Sequence, residues 1–299
     1  MRHLLRAWRL TAKILTSQRK LWAPFILTAL IELLFVGILW LAPQPPFSKV
    51  LAPPIRYFFG DKFLHYPLHL WFLYHAMKHT NLVASILVGA FMSGVACAMV
   101  RQVHEQAPLS MRGALVGREV AYGRVAFLWL VIWGITKGVM ELAFRFFLVP
   151  GTRWASASVI GLTIILQALF VYAIPTAVFN DSKWWKALWQ SLREMCRYPF
   201  STFSIVLPPS ALVILFAVVV SPVHVAQWMV SIAPEVAIPL VVARLVVWTI
   251  GDALLTISVA HLWCAHHASE LVIEPAEVAA VPAARRKPVL ELEEGPAVA

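Results

Sequence analysis

Histidine supplies the sharpest chemical pattern in this chain. His65, His69, His75 and His79 read as H-x3-H-x5-H-x3-H. On one continuous helix all four fall within about a third of the circumference, close enough for imidazoles to share a metal ion. Pro67 interrupts the start of such a helix, and Asp61 is the one nearby carboxylate that could orient a ligating ring. The competing reading, four ordinary histidines at a membrane interface, is preferred, so no metal and no cofactor is expected. His261, Cys264, His266 and His267 form a second cluster of soft and borderline donors. It ranks below the first, because two adjacent histidines seldom share one ion.

Six ionisable residues fall inside long apolar stretches: Glu32, Lys137, Glu141, Arg145, Arg244 and Asp252. A charge at mid-bilayer costs about 2.5–3.5 kcal/mol or more, so such residues are the first place to seek function. Lys137, Glu141 and Arg145 are spaced i, i+4, i+8 and can form a ladder on one helical face. Arg244 and Asp252 lie two turns apart on a similar face. Glu32 needs a partner, with Lys137 and Arg244 the candidates. One reading is a polar path for an ion or a lipid headgroup. The preferred reading is ion pairs between helices inside the bundle, with Arg145 snorkelling outward and Gly134 and Gly138 permitting close approach beside Lys137.

Catalytic patterns are missing. The sequence holds no G-x-S-x-G, no H-E-x-x-H and no phosphate-binding glycine loop. Ser93 beside Gly94 has no general base assigned to it and reads as a small packing residue. No catalytic residue is assigned, and an enzyme is disfavoured.

The elements that must position these residues are membrane spans. Hydrophobic residues make up 60% of the 299, charged residues 13%, and the mean hydropathy is +0.75. Water cannot be the solvent for so much apolar surface. Six stretches approach the roughly 20 residues a hydrocarbon core demands: Trp22–Ala42, Thr80–Val100, Val125–Val149, Ser156–Phe179, Ser204–Ser221 and Val236–Trp263. Pro208 and Pro209 break the fifth. The fold class expected is therefore all-α, with a six-helix transmembrane domain over residues 1–268. A tail over 269–299 lacks an apolar face and reads as disordered and cytoplasmic. Cys97, Cys196 and Cys264 have no paired spacing, which argues against a disulfide framework.

Lys and Arg fix the expected orientation. Residues 1–20 hold six of them, 101–124 four, 180–203 four, and the stretch after Trp263 three. The opposite loops hold five: Lys49, Arg56, Lys62, Lys78 and Arg153. The positive-inside rule then puts both termini in the cytoplasm. The basic leader before the first span is about 20 residues, the apolar run is too long for the core of a cleaved signal, and no clear small-x-small site follows, so the first span should remain as an anchor. In the first outer loop, Pro43, Pro45, Pro46, Pro53 and Pro54 oppose regular helix. Leu68–Met77 reads as an interfacial helix, with Trp71 and Tyr74 at headgroup depth.

Each basic segment reads as an amphipathic helix lying on the membrane. Arg2, Arg6, Arg9, Lys13 and Lys20 share an arc opposite Leu4, Trp8, Ala12 and Leu15. Lys183, Lys186, Gln190, Arg193 and Arg197 lie opposite Trp185, Leu188, Leu192 and Met195. A weaker copy spans Ser110–Arg124, where Arg112 and Arg118 stand among glycines. Three copies of an interfacial helix plus two crossings would span 1–100, 101–179 and 180–268.

Tyr172-Ala173-Ile174-Pro175, then Phe179-Asn180-Asp181, then Trp185-Lys186-Ala187-Leu188-Trp189-Gln190-Ser191 carry a resemblance to a known family. The arrangement resembles a bacterial superfamily of six-helix membrane proteins that includes the membrane domain attached to some glycerophosphoryl diester phosphodiesterases. No phosphodiesterase domain follows here. The resemblance implies a module of the bacterial cytoplasmic membrane with no catalytic residues.

The leading expectation is a non-enzymatic protein that engages anionic lipid through its basic helices and organises the bilayer or a complex. A membrane-protein partner or a second copy suits such a role. The net charge of +10 brackets apolar spans rather than forming a nucleic-acid surface. A transporter or permease subunit using Glu32, Glu141, Arg244 and Asp252 is the second reading. An intramembrane enzyme is the third.

Overall fold

Apolar residues that recur without a polar face can satisfy their backbone in lipid only as helices, and helices are what the chain forms. A computed structural model describes residues 13, 15–116, 122–146, 153–180 and 182–267. Among the described residues there is no strand. Six helices are long and apolar enough to cross a bilayer: Arg19–Trp40, Asn81–His104, Tyr122–Arg145, Ala157–Phe179, Pro199–Val219 and Pro234–His266. The chain is an integral, all-α, polytopic membrane protein. Arg2, Arg6, Arg9 and the tail from residue 268 lie outside the described residues.

After a 3-10 turn at Arg19–Trp22, α1 (Ala23–Trp40) makes the first crossing. The indole of Trp22 donates to the Leu15 carbonyl at 3.2 Å and ties the preceding basic segment to the span. The outer loop holds α2 (Ser48–Phe59), and here the expectation about proline needs correcting. Pro53 and Pro54 lie inside α2. The carbonyls they leave without donors belong to Lys49 and Val50, both exposed, where solvent or headgroups can satisfy them.

A second correction concerns Leu68–Met77. It is the start of α3 (Leu68–Ala84), which continues through a π-helical turn at Ser85–Gly89 into α4 (Ala90–His104). The run from Leu68 to His104 is roughly 55 Å long at 1.5 Å per residue, well beyond a hydrocarbon core of about 30 Å. Its outer turns do not lie flat on lipid. Leu70, Leu73, Tyr74 and Met77 are buried against Val36, Val225, Met229 and Val241, and the Tyr74 hydroxyl donates to the Val220 carbonyl. An apolar stripe at i, i+3, i+4, i+7 needs a partner, and protein supplies it here.

On the basic side, α5 (Met111–Val116) is short. The Ser110 hydroxyl caps it by accepting from the Gly113 amide at 3.1 Å. The third crossing is α6 (Tyr122–Phe146). The fourth is bent, as α7 (Arg153–Phe170) and then α8 (Ala173–Phe179). The interfacial α9 (Trp184–Arg197) follows, then α10 (Pro199–Val219), α11 (Pro222–Ser231) and α12 (Ala237–His266).

The fifth crossing is not broken at its prolines. α10 runs through Pro208 and Pro209, and it starts at Pro199, ahead of the expected Ser204. Neighbouring helices make this possible. Ser210 donates to Gln167 of α7 at 2.7 Å. Gly251 lets α12 press against the proline turn, since a Cβ there would stand 2.6 Å from Val213 Cγ2 and 3.7 Å from the Pro209 carbonyl.

The core divides along the membrane normal. Toward the basic end, Leu21, Val95, Met99, Tyr172, Ile257 and Trp263 pack together. Toward the other end, Val36, Leu73, Met77, Val225 and Val241 do so.

Candidate functional site

Side chains tie the junction of α7 and α8 to its neighbours. The Ser191 hydroxyl of α9 donates to the Leu169 carbonyl at 2.8 Å. The Ser182 hydroxyl reaches the Thr176 carbonyl at 3.4 Å, and Asn180 donates to Gln190 at 3.3 Å. Tyr172, buried in the bend, shares a 2.9 Å hydrogen bond with Thr202 of α10. The residues that stand out in sequence around Tyr172–Pro175 and Ala187–Ser191 are thus the joint that seats α9 on the bundle.

α9 has three faces, one more than sequence periodicity suggests. Ala187, Ser191 and Glu194 are buried against the bundle, with Ala187 beside Leu128, Ala173 and Ala177. On one flank Trp184, Trp185 and Trp189 stay exposed, at 41%, 58% and 63%. On the other flank Lys183, Lys186, Arg193 and Arg197 are exposed. A helix docked sideways by a narrow strip leaves one apolar and one basic flank exposed.

The basic flank is not smooth. Lys186, Arg193 and Arg197, together with Trp185 and Trp189, wall a hollow of about 480 Å3 that reaches Glu194 and His267. His267 Nδ1–H donates to the Trp263 carbonyl at 3.0 Å, and His267 Nε2 lies 3.7 Å from the buried Glu194. The Trp263 and His267 rings stack at 4.3 Å. Sequence reasoning missed Glu194. Its signal was a single acid inside a basic helix, turned to the docking strip rather than the basic arc.

The remaining basic candidates, Lys13 and Lys20, are exposed near the start of the first crossing. Among the described residues the histidines have separate partners. His65 contacts Asp61 at 3.2 Å, and Arg56 contacts the same carboxylate at 2.6 Å. These two partners, His65 first, hold the Asp61 carboxyl below its ordinary range. The side chains of His75 and His79 lie outside the described residues, and His69 is half-buried. In the second cluster His261 Nδ1 meets His104 Nε2 at 2.7 Å, His266 stacks on Tyr198 at 4.0 Å, and His267 turns to Glu194. Among the described residues no three His, Cys, Asp or Glu side chains are grouped to hold a metal ion.

The six intramembrane charges separate into two places. Glu32 is buried, within electrostatic reach of Asp252 and Arg244. The Arg244 guanidinium sits 5.9 Å from the Tyr74 ring centre and 6.0 Å from that of Trp248. Asp252 lies in line with Leu245 and Val259, seven residues either side on one face of α12. Both of those are buried, yet Asp252 is accessible. The π-turn packs nearby: a Cβ on Gly89 would lie 3.7 Å from Thr28 Cγ2, one turn from Glu32. Lys137, Glu141 and Arg145 do not pair inside the bundle as expected. They are exposed on the outer face of α6, with Glu141 and Arg145 at 4.0 Å. A Cβ on Gly134 or Gly138 would meet nothing within 4 Å among the described residues, so these glycines serve no contact within the chain.

No family model, no curated protein and no solved structure matches this chain.

Proposed function

We propose that this protein holds anionic lipid headgroups on α9 at the cytoplasmic face of a bacterial inner membrane, and that it does so as a membrane-organising component rather than an enzyme. The observation that carries this is the hollow beside α9, where three cations and two exposed tryptophans surround space the size of a headgroup. The tryptophans suit the headgroup–acyl boundary and the cations suit phosphate. The orientation rests on the Lys and Arg asymmetry of the loops. The resemblance to six-helix membrane modules without catalytic residues agrees with this reading.

The test is native mass spectrometry of the purified protein with phosphatidylglycerol or phosphatidylcholine. The protein retains the anionic lipid preferentially. Changing Lys186, Arg193 and Arg197 together to Gln weakens retention by roughly two orders of magnitude, at about 1 kcal/mol per cation near a membrane surface. Lys49→Gln, at the other end of the bundle, leaves it unchanged. Equal retention of both lipids, or no effect of the triple change, contradicts the proposal.

Asp252 favours a second reading, a transporter or permease subunit. An exposed carboxylate on the last crossing, within electrostatic reach of the buried Glu32, suits passage of a proton or a small cation. Glu141 takes no part, because it lies on the outside of α6. Proteoliposomes loaded with a pH dye test this. Proton leak abolished by Asp252→Asn supports the reading, and a leak indistinguishable from empty liposomes removes it.

A further inference from the structure

The third crossing is placed unlike the others. Of its most apolar stretch 11% is buried, against 56% for the second crossing. The residues that do pack, Val125 and Leu128, lie on one side. Roughly opposite, at 100° per residue, Leu130, Gly134, Lys137, Gly138, Glu141 and Arg145 share an arc of about 120°. All six are exposed.

An apolar face turned to lipid needs no covering. This one carries Lys137, roughly 22 Å along the helix from Tyr122, which is well inside a core of about 30 Å. Lys137 makes no hydrogen bond or ion pair among the described residues. Among the described residues Glu141 has only Arg145, 4.0 Å away on the same helix. Gly134 and Gly138 form a G-x-x-x-G pair whose open surface no part of the described chain fills.

We infer that α6 is the interface for a second copy of this chain, paired in parallel about a two-fold axis along the membrane normal. Such an axis keeps both copies in the same orientation, which a single insertion topology requires, and it makes the contact isologous. Gly134 and Gly138 meet their counterparts and let the backbones approach closely. Lys137 and Glu141 have opposite sign one turn apart on the face. Each Lys137 therefore reaches the other copy's Glu141, and the pairing is reciprocal. The charge pattern that is costly against lipid is self-complementary against itself. A partner of other sequence would have to supply the inverse ladder, whereas a second copy already holds it.

The test uses the full chain in native membranes, with Cys196, the exposed thiol, changed to Ser. Leu130→Cys, on the shared face, forms an intermolecular disulfide on mild oxidation, and Ile135→Cys, about 140° around the helix from Leu130, does not. Single-molecule photobleaching in liposomes gives two steps at low protein density. Lys137→Glu or Glu141→Lys alone raises the dimer dissociation constant roughly tenfold, and the two changes together restore it. Gly134→Ile also prevents pairing while the monomer still folds, since its added atoms project into open space. Monomers at every density, equal cross-linking at both positions, or no rescue by the double reversal overturns the inference. Cross-linking of Leu130→Cys to a different protein in place of a second copy also overturns it.

Discussion

Glu32 of α1 and Lys137 of α6 occupy equivalent places in sequence, each an ionisable residue deep in an apolar crossing. In the folded chain they have opposite surroundings. Glu32 is buried near Arg244 and Asp252, beside a π-turn and between the two halves of the core. Lys137 stands on the outer face of a helix that barely enters the bundle. A charged residue enclosed by its own chain acts on the stability of the monomer. A charge that waits for another surface contributes to assembly instead.

That difference is open to direct attack. The largest effect is expected at Arg244. Arg244→Leu removes the cation that stands 5.9 and 6.0 Å from the Tyr74 and Trp248 ring centres and destabilises the monomer by about 2 kcal/mol. Lys137→Leu changes monomer stability by no more than about 0.5 kcal/mol. Reversible unfolding in mixed micelles, dilute enough to hold single copies, measures both. Equal losses would erase the distinction.

The glycines sharpen it further, because one substitution should act with opposite signs. Gly251→Ala forces a Cβ to within 2.6 Å of Val213 Cγ2 and costs about 1–3 kcal/mol by overpacking. Gly138→Ala meets nothing among the described residues and gains about 0.5–1 kcal/mol from helix propensity. The same unfolding assay separates the two.

The smallest effect lies outside both regions, at Asp61. His65 and Arg56 lower its pKa in the folded chain. Its contribution to stability is therefore present above the ordinary carboxylate range, near pH 4, and is lost as pH falls through the folded value. Asp61→Asn should lack that loss. A titration of unfolding midpoints from about pH 6 to pH 2 should show the native curve converging on the variant's at the acid end.

Crossings were legible because hydrocarbon thickness dictates a run length, and all six spans needed only shifted ends. The outer turns of α3 misled because an apolar stripe looks the same whether lipid or protein covers it. Tyr74 is buried only because α11 and α12 return to meet it, a contact distant in sequence. Prolines misled for a related reason, since Gln167, which accepts from Ser210, and Gly251 arrive from other helices to pack beside Pro208 and Pro209. The basic and apolar arcs of α9 were readable from 100° spacing. Its docking strip of Ala187, Ser191 and Glu194 was not, because small and polar residues register on neither scale of amphipathicity. Which charged residues faced inward was likewise hidden, since helix rotation depends on neighbours.

Cys196 offers the most direct test of the claim that α9 rests in the lipid interface. It is exposed at the edge of the apolar flank, while Cys97 and Cys264 are buried. A nitroxide on Cys196 in bilayers containing phosphatidylglycerol should relax faster with oxygen than with a water-soluble nickel chelate, placing it at the boundary of headgroups and acyl chains. Relaxation dominated by the chelate, as for a label in water, would contradict the account.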